Sequence, residues 1–290
     1  MASLTRRRFL QGSAAVAGAT GLVLEVDGFI FEPNHPEIIH VDVPVRRLHE
    51  AFNGFTIAQL SDFHYDPFFS AAPIRAAVEM VNRLNVDLVI LTGDFVTTSI
   101  FVDYLHNWKE AADAAEPCVK LLAPLRAKLG CIAILGNHDV ASDPARIMNV
   151  LQSHGIPVLR NRSMPIEKDG VRFWLCGLDS LMEGTPHIER TLQGVPANEP
   201  KILLIHEPDY ADTAVRYPID CQLSGHSHGG QIWLPVVGAP WLPDWARKYP
   251  RGMYKVGDMI VYTNIGLGTI RVPVRINCTP EVTLITLRSA

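Results

Sequence analysis

Apolar runs over 55–60, 88–91, 131–135, 201–205 and 221–223 each read as a short strand, that at 88–91 of the buried type, and each stops at a polar turn. Alternation over 38–45 puts Ile39, Val41, Val43 and Val45 on one side of a further strand. Between 71 and 84 the period changes to that of a helix, with Ile74, Ala77, Val78, Val81 and Leu84 on one face. A strand over 55–61, that helix and a strand over 87–92 make a β-α-β unit, which favours parallel pairing.

The pattern over 104–128 reads as helix, interrupted near Pro117 and again at Pro124. A second helix spans 144–154, with Asp143 as its N-cap and Gly155 closing it. From 165 onward strands dominate. A hairpin turns at Lys168-Asp169-Gly170 within 165–177, and strands follow at 201–205, 221–223, 231–234, 259–263 and 282–287. A β-α-β first half and a β-rich second half predict an α/β fold of two stacked mixed β-sheets flanked by helices. No repeat or linker divides it, so 31–290 reads as one domain.

Composition agrees with a large buried core: of 290 residues, 48% are hydrophobic and 19% charged. A net charge of −4 offers no overall basicity, so no nucleic-acid partner is expected. Cys118, Cys131, Cys176, Cys221 and Cys278 are scattered and form no C-x-x-C pair, which reads as buried thiols rather than a disulfide framework.

Residues 1–30 are an address. Thr5-Arg6-Arg7-Arg8-Phe9-Leu10-Gln11 precedes a weakly hydrophobic, Ala/Gly-rich stretch over 12–24, as in an export signal. The heptad resembles the twin-arginine (Tat) signal, departing only in Gln11 for Lys. The resemblance implies the Tat translocon as partner. It places the protein in the periplasm or on the outer face of the cytoplasmic membrane, either cleaved near Ala17-Gly18-Ala19 or retained as an anchor.

The candidate chemistry sits where the strands stop. Asp62-Phe63-His64, Gly93-Asp94, Gly136-Asn137-His138-Asp139, His206 and Gly225-His226-Ser227-His228 all follow strand-like runs. Parallel strands bring such ends to one edge, where α/β proteins build sites. Asp, Asn and His there suit divalent cations, and mixed N and O donors without thiolate admit Mn²⁺, Fe²⁺ or Zn²⁺. Asp94 follows a residue with no side chain, so its carboxylate can come close to a cation and bridge two. His226 and His228, two apart in extended chain, point the same way.

In this order the motifs resemble the calcineurin-like metallophosphoesterase superfamily. The 224–235 and 262–268 segments resemble its Tat-exported bacterial phosphodiesterase branch, whose relatives include hydrolases of UDP-2,3-diacylglucosamine. The resemblance implies a four-layer sandwich with two divalent metal ions. Asp62, His64 and His228 would hold one ion, and Asn137, His206 and His226 the other, with Asp94 bridging. His138 would face the substrate and protonate the leaving group, kept charged by Asp139 or Asp66. Two such ions activate a water for in-line attack on phosphorus. Phe95 in place of a metal-binding Tyr argues against a purple-phosphatase-like monoesterase.

The expected substrate is a small-molecule or lipid phosphoester of the cell envelope. Specificity is expected on loops at 68–69, 97–104, 179–187 and 235–249. The last of these carries Trp241 and Trp245, with Trp233 just before it. Its rings either touch acyl chains or a membrane surface, or pack on the loop itself. Arg247, Lys248 and Arg251 are candidate partners for an anionic head group.

Overall fold

The structure, a computed structural model, describes residues 27–97 and 108–290. Strands are numbered in chain order: β1 (Glu37–Val45), β2 (Thr56–Leu60), β3 (Leu88–Leu91), β4 (Cys131–Ala133), β5 (Arg162–Lys168), β6 (Val171–Gly177), β7 (Lys201–Leu204), β8 (Cys221–Ser224), β9 (Gly252–Val256), β10 (Met259–Thr263) and β11 (Glu281–Ser289). The helices are α1 (Ala71–Leu84), α2 (Ala115–Leu122), α3 (Asn137–Ser142), α4 (Pro144–Ser153) and the single turns α5 (Ile188–Thr191) and α6 (Ala211–Ala214).

Two mixed sheets form, with strand orders β1-β11-β2-β3-β4 and β5-β6-β7-β8-β10-β9. Strands β2, β3 and β4 run parallel in the first sheet, and β6, β7, β8 and β10 in the second. The antiparallel partners are β11 against β2, β5 against β6, and β9 against β10. Three apolar clusters mark the layers. One joins the outer face of the first sheet to α1, α2 and α4, one lies between the sheets, and one joins the second sheet to α5 and α6. The order is helix, sheet, sheet, helix, as the alternation of patterns predicted. Between the sheets Phe52, Phe55 and Phe173 meet edge to face at 4.9–5.6 Å.

Local chemistry explains most element ends. Asn85 closes α1 in the left-handed conformation (φ 50°). The Asp143 side chain accepts the Arg146 N–H at the start of α4, as expected of that cap. Asp169 and Gly170 both take positive φ, 52° and 78°, the two-residue hairpin turn that matches strand twist.

Three readings change. Pro117 lies in the first turn of α2, where its missing N–H costs no bond. The helix ends at Leu122, ahead of Pro124, so 123–128 is not helical, and 104–107 lies outside the described residues. No strand forms over 231–234; Ile232 and Leu234 make isolated bridges only, because Gln231 turns the chain at φ 60°. Ile39 keeps the face of Val41, Val43 and Val45 in the unbroken strand β1 but is exposed at the edge of the first sheet. Of the N-terminal segment, 1–26 lies outside the described residues. The part from Asp27 packs: Gly28 is buried, and its carbonyl accepts the Arg275 N–H. All five cysteines are unpaired. No helix among the described residues is long and apolar enough to cross a membrane.

Phe173 is fully buried between the sheets. Replacing it with Ala is expected to cost about 3–5 kcal/mol in urea unfolding at unchanged secondary structure.

Candidate metal centre

Strands β2, β3 and β4 of one sheet and β7 and β8 of the other end at a common edge. Asp62 and His64 follow β2, Asp94 follows β3, Asn137 and His138 open α3 after β4, His206 follows β7, and His226 and His228 follow β8. Five of these residues take positive φ: Asp62 (52°), His64 (39°), Asp94 (58°), His226 (71°) and His228 (50°). Each such residue costs on the order of 1–3 kcal/mol and persists only where the surroundings dictate it. The flanking glycines are steric necessities. A methyl group at Gly136 would strike the Asp94 carboxylate, and one at Gly225 would strike Ser61 and Asp62.

The side chains converge. Donor atoms of Asp62, His64 and His228 lie within 4.8 Å of one another, as do those of Asp94, His206 and His226, and those of His64, Asp94 and His138. Asp94 and His64 thus link the groups. The Nε2 atoms of His64 and His228 face each other at 3.0 Å. Asp94 Oδ2 lies 3.0 Å from His206 Nε2 and 3.4 Å from His64 Nε2.

Two hydrogen bonds fix the donor atom that each imidazole offers. His206 Nδ1 meets the Thr92 carbonyl at 2.6 Å, and His226 Nε2 meets the Asp244 carbonyl at 2.8 Å. A carbonyl only accepts, so these nitrogens carry the proton and leave His206 Nε2 and His226 Nδ1 as lone-pair donors. The Asn137 Oδ1 is buried without a hydrogen-bond partner. A stranded amide oxygen, two opposed imidazole nitrogens and two buried carboxylates fit divalent cations.

The electrostatics agree. Burial drives the His64 and His228 imidazoles well below their usual pKa, and the Arg275 guanidinium adds to the effect at His228. Burial would also lower His206, but the carboxylates of Asp94 and Asp62 outweigh it and raise that imidazole well above its usual value. Burial opposes ionisation of Asp94, yet His206 and His138 hold its pKa well below the ordinary range.

A polar layer beneath the ligands joins the sheets. Gln59 of β2 donates to the Ser224 carbonyl of β8, and Asn264 after β10 donates to Thr283 of β11. The fully buried Arg275 donates to the carbonyls of Ile265, Gly266, Gly268 and Cys278. That loop in turn packs on the Asp62 backbone through Gly268 N–H. No periodic signal marks Gln59, Asn264 or Arg275 in the sequence.

Asp139 differs from expectation. Its carboxylate accepts the backbone N–H groups of Asp94, Phe95, Val96 and Gly136 at 2.8–3.2 Å. It therefore clamps the Gly93-Asp94 turn against the start of α3, a task beyond the expected pairing with His138. Burial first, and Asp94 second, raise its pKa to about 7. Asp66 likewise serves the backbone, accepting from Phe68 and Phe69. His138 stands beside His64 with ring centroids 4.8 Å apart, and its backbone N–H donates to Asp94 Oδ1 at 2.9 Å. Burial lowers its pKa, against the opposing pull of the Asp94 carboxylate.

A sequence profile described as "Calcineurin-like phosphoesterase" matches residues 55–230, from the start of β2 to just past His228. The chain belongs to this family. As a calcineurin-like phosphoesterase it is a metal-dependent phosphoester hydrolase. It is 34% identical to the uncharacterized metallophosphoesterase YkuE of Bacillus subtilis (strain 168), over 100% of this chain and 99% of that one. It is 32% identical to the phosphodiesterase YaeI of Escherichia coli (strain K12), over 98% and 99%. A transmembrane protein with metallophosphoesterase domain from Danio rerio is 31% identical over 92% of this chain, which spans 61% of that protein's length.

A cavity of about 300 Å³ opens beside His64, walled by Phe69, Thr97, Arg271, Val272 and Pro273. The Arg271 guanidinium sits 4.4 Å from the centre of the Trp241 ring. The expected head-group cations have other partners: Arg247 pairs with Asp244 and Lys248 with Asp212, both at 2.7 Å, and Arg251 lies over Trp233. Among the described residues Arg271 is the cation lining the cavity, and sequence alone did not single it out. Of the 97–104 loop, only Thr97 falls among the described residues.

Asp139→Asn replaces one acceptor oxygen with an amide that cannot accept those N–H groups. It is expected to weaken Mn²⁺ binding about 10–100-fold by calorimetric titration and to lower the melting temperature. Unchanged affinity would show that Asp94 is placed without this clamp.

Proposed function

We propose that the protein hydrolyses a phosphodiester or pyrophosphate bond with a pair of divalent ions, Mn²⁺, Fe²⁺ or Zn²⁺. The carrying observation is the place of Asp94, whose carboxylate belongs to one ligand group with His206 and His226 and to another with His64 and His138. Asp62, His64 and His228 would hold one ion, Asn137, His206 and His226 the other, and Asp94 would join both. Bound there, such ions supply a nucleophilic water and offset charge on the phosphoryl oxygens. The chain's own part is orientation. Thr92 and Asp244 set the tautomers of His206 and His226, and the Asp139 clamp holds Asp94 in reach of both groups. His138, half-buried beside them, would meet the phosphoryl group or the leaving oxygen.

Diester cleavage is favoured over monoester cleavage by the relative YaeI, a phosphodiesterase, and by Phe95. That ring is buried and stacked on Phe63 at 5.1 Å, offering no hydroxyl where a monoesterase of the purple type carries Tyr. A lipid-like or cell-envelope substrate, with UDP-2,3-diacylglucosamine as one form, is supported by the mixed walls of the cavity, apolar at Phe69, Val272 and Pro273 and cationic at Arg271. Export by the Tat translocon is supported by the twin-arginine sequence at Thr5 to Gln11.

The purified protein is expected to hydrolyse bis-p-nitrophenyl phosphate with Mn²⁺ and to lose activity with EDTA. p-Nitrophenyl phosphate should be the poorer substrate. Asp94→Asn should lower kcat/KM on the order of a thousandfold. Full turnover in that variant would refute the assignment.

A further inference from the structure

The loop after Trp233 is built outward. Leu234 and Gly238 exchange backbone hydrogen bonds at 3.0 and 2.9 Å, closing a tight turn around Pro235, Val236 and Val237. The tip is wholly apolar and unburied, with relative exposures of 107% at Val236 and 73% at Val237. Val236 also sits at φ 72°, a conformation unfavourable for a β-branched residue and free for glycine. A turn needing only to reverse the chain would carry Gly or Asn here. An exposed valine in a strained conformation indicates a use for its side chain.

The tip is continuous with two other features. Trp241, half exposed, carries Arg271 on its face, and Arg271 lines the cavity at His64. On the other side Trp233 bonds through its backbone to Ile276 and Asn277, and Asn277 N–H bonds to Glu32. Glu32 follows Phe29, Ile30 and Phe31, all exposed. The 26 residues before Asp27, with Arg6, Arg7 and Arg8 and an apolar 12–24 stretch, therefore join the chain at this same rim.

We propose that this rim rests on a lipid bilayer. Val236 and Val237 enter the boundary between head groups and acyl chains, and Trp241 and Arg271 lie at head-group level. The mouth of the metal centre then faces the membrane. Shape and chemistry select this occupant. A projecting apolar tip suits a deformable apolar medium, whereas a second protein would need a matching pocket. Tryptophan with an arginine on its face matches the amphipathic, partly anionic interface of a bilayer. The chain enters the rim from a segment that is itself basic and then apolar, the order of a membrane-directed address.

The test uses the full chain and vesicles of phosphatidylcholine with phosphatidylglycerol. An environment-sensitive dye is placed at Val236→Cys and, as a control on the exposed face of α1, at Glu79→Cys. On vesicles with nitroxide-labelled lipids, the Val236 probe should shift to the blue and lose at least half of its emission, and the Glu79 probe should not change. Val236→Asp/Val237→Asp should reduce vesicle partitioning about tenfold while hydrolysing soluble bis-p-nitrophenyl phosphate as the wild type does. Three outcomes would overturn the proposal. The Val236 probe could stay unquenched on vesicle-bound protein, which leaves the N-terminal segment as the sole contact. It could shift without lipid as protein concentration rises, which makes a second copy the occupant. Partitioning could survive the double substitution intact. Quenching does not depend on turnover, so failure here is distinct from failure of the catalytic assignment.

Discussion

Buried polar side chains that satisfy one another poorly, but would satisfy a cation well, are the constraint on which this structure turns. Asp62, His64, Asp94, His206, His226 and His228 are buried together, and donor atoms of Asp62, His64, Asp94, His206 and His228 meet at distances of 3.0–3.8 Å. Imidazole nitrogens opposed at 3.0 Å, a stranded amide oxygen and paired carboxylates form an arrangement that proteins avoid unless a metal repays it. Five positive-φ residues add backbone strain to that cost. The rest of the fold supplies the restraint: two sheets ending at one edge, glycines where no side chain fits, and a buried carboxylate tying two loops together.

The motifs were legible because each is local. A strand, a turn and a ligand occupy fewer than ten residues, so periodicity and residue type suffice to find them. The β-α-β unit, helix α1 and the hairpin at Asp169-Gly170 were legible for the same reason. What sequence misjudged depended on distant partners. Gln231 reads as the start of a strand, but its side chain bonds to carbonyls at Val272 and Val274 while its backbone turns. Asp139 reads as an acid beside a histidine, but its oxygens face backbone N–H groups contributed by another loop. Arg275 and Asn264 leave no trace in a hydrophobic pattern, because a buried polar residue is recognisable only once its partners are known.

Two of the three donor trios draw on both sheets. Asp62 and His64 extend from the first sheet and His228 from the second; Asp94 extends from the first, His206 and His226 from the second. The seam between the leaves is greased by Phe52, Phe55 and Phe173 and, near the ligands, tied by Gln59 to Ser224. An ion seated in either trio is therefore a rivet through two plates. By mass action it must stiffen their alignment, and any slip of one plate along the other must loosen the ion. Loading and docking of the two halves become a single equilibrium, so damage far from the edge would first be felt as leakage of metal.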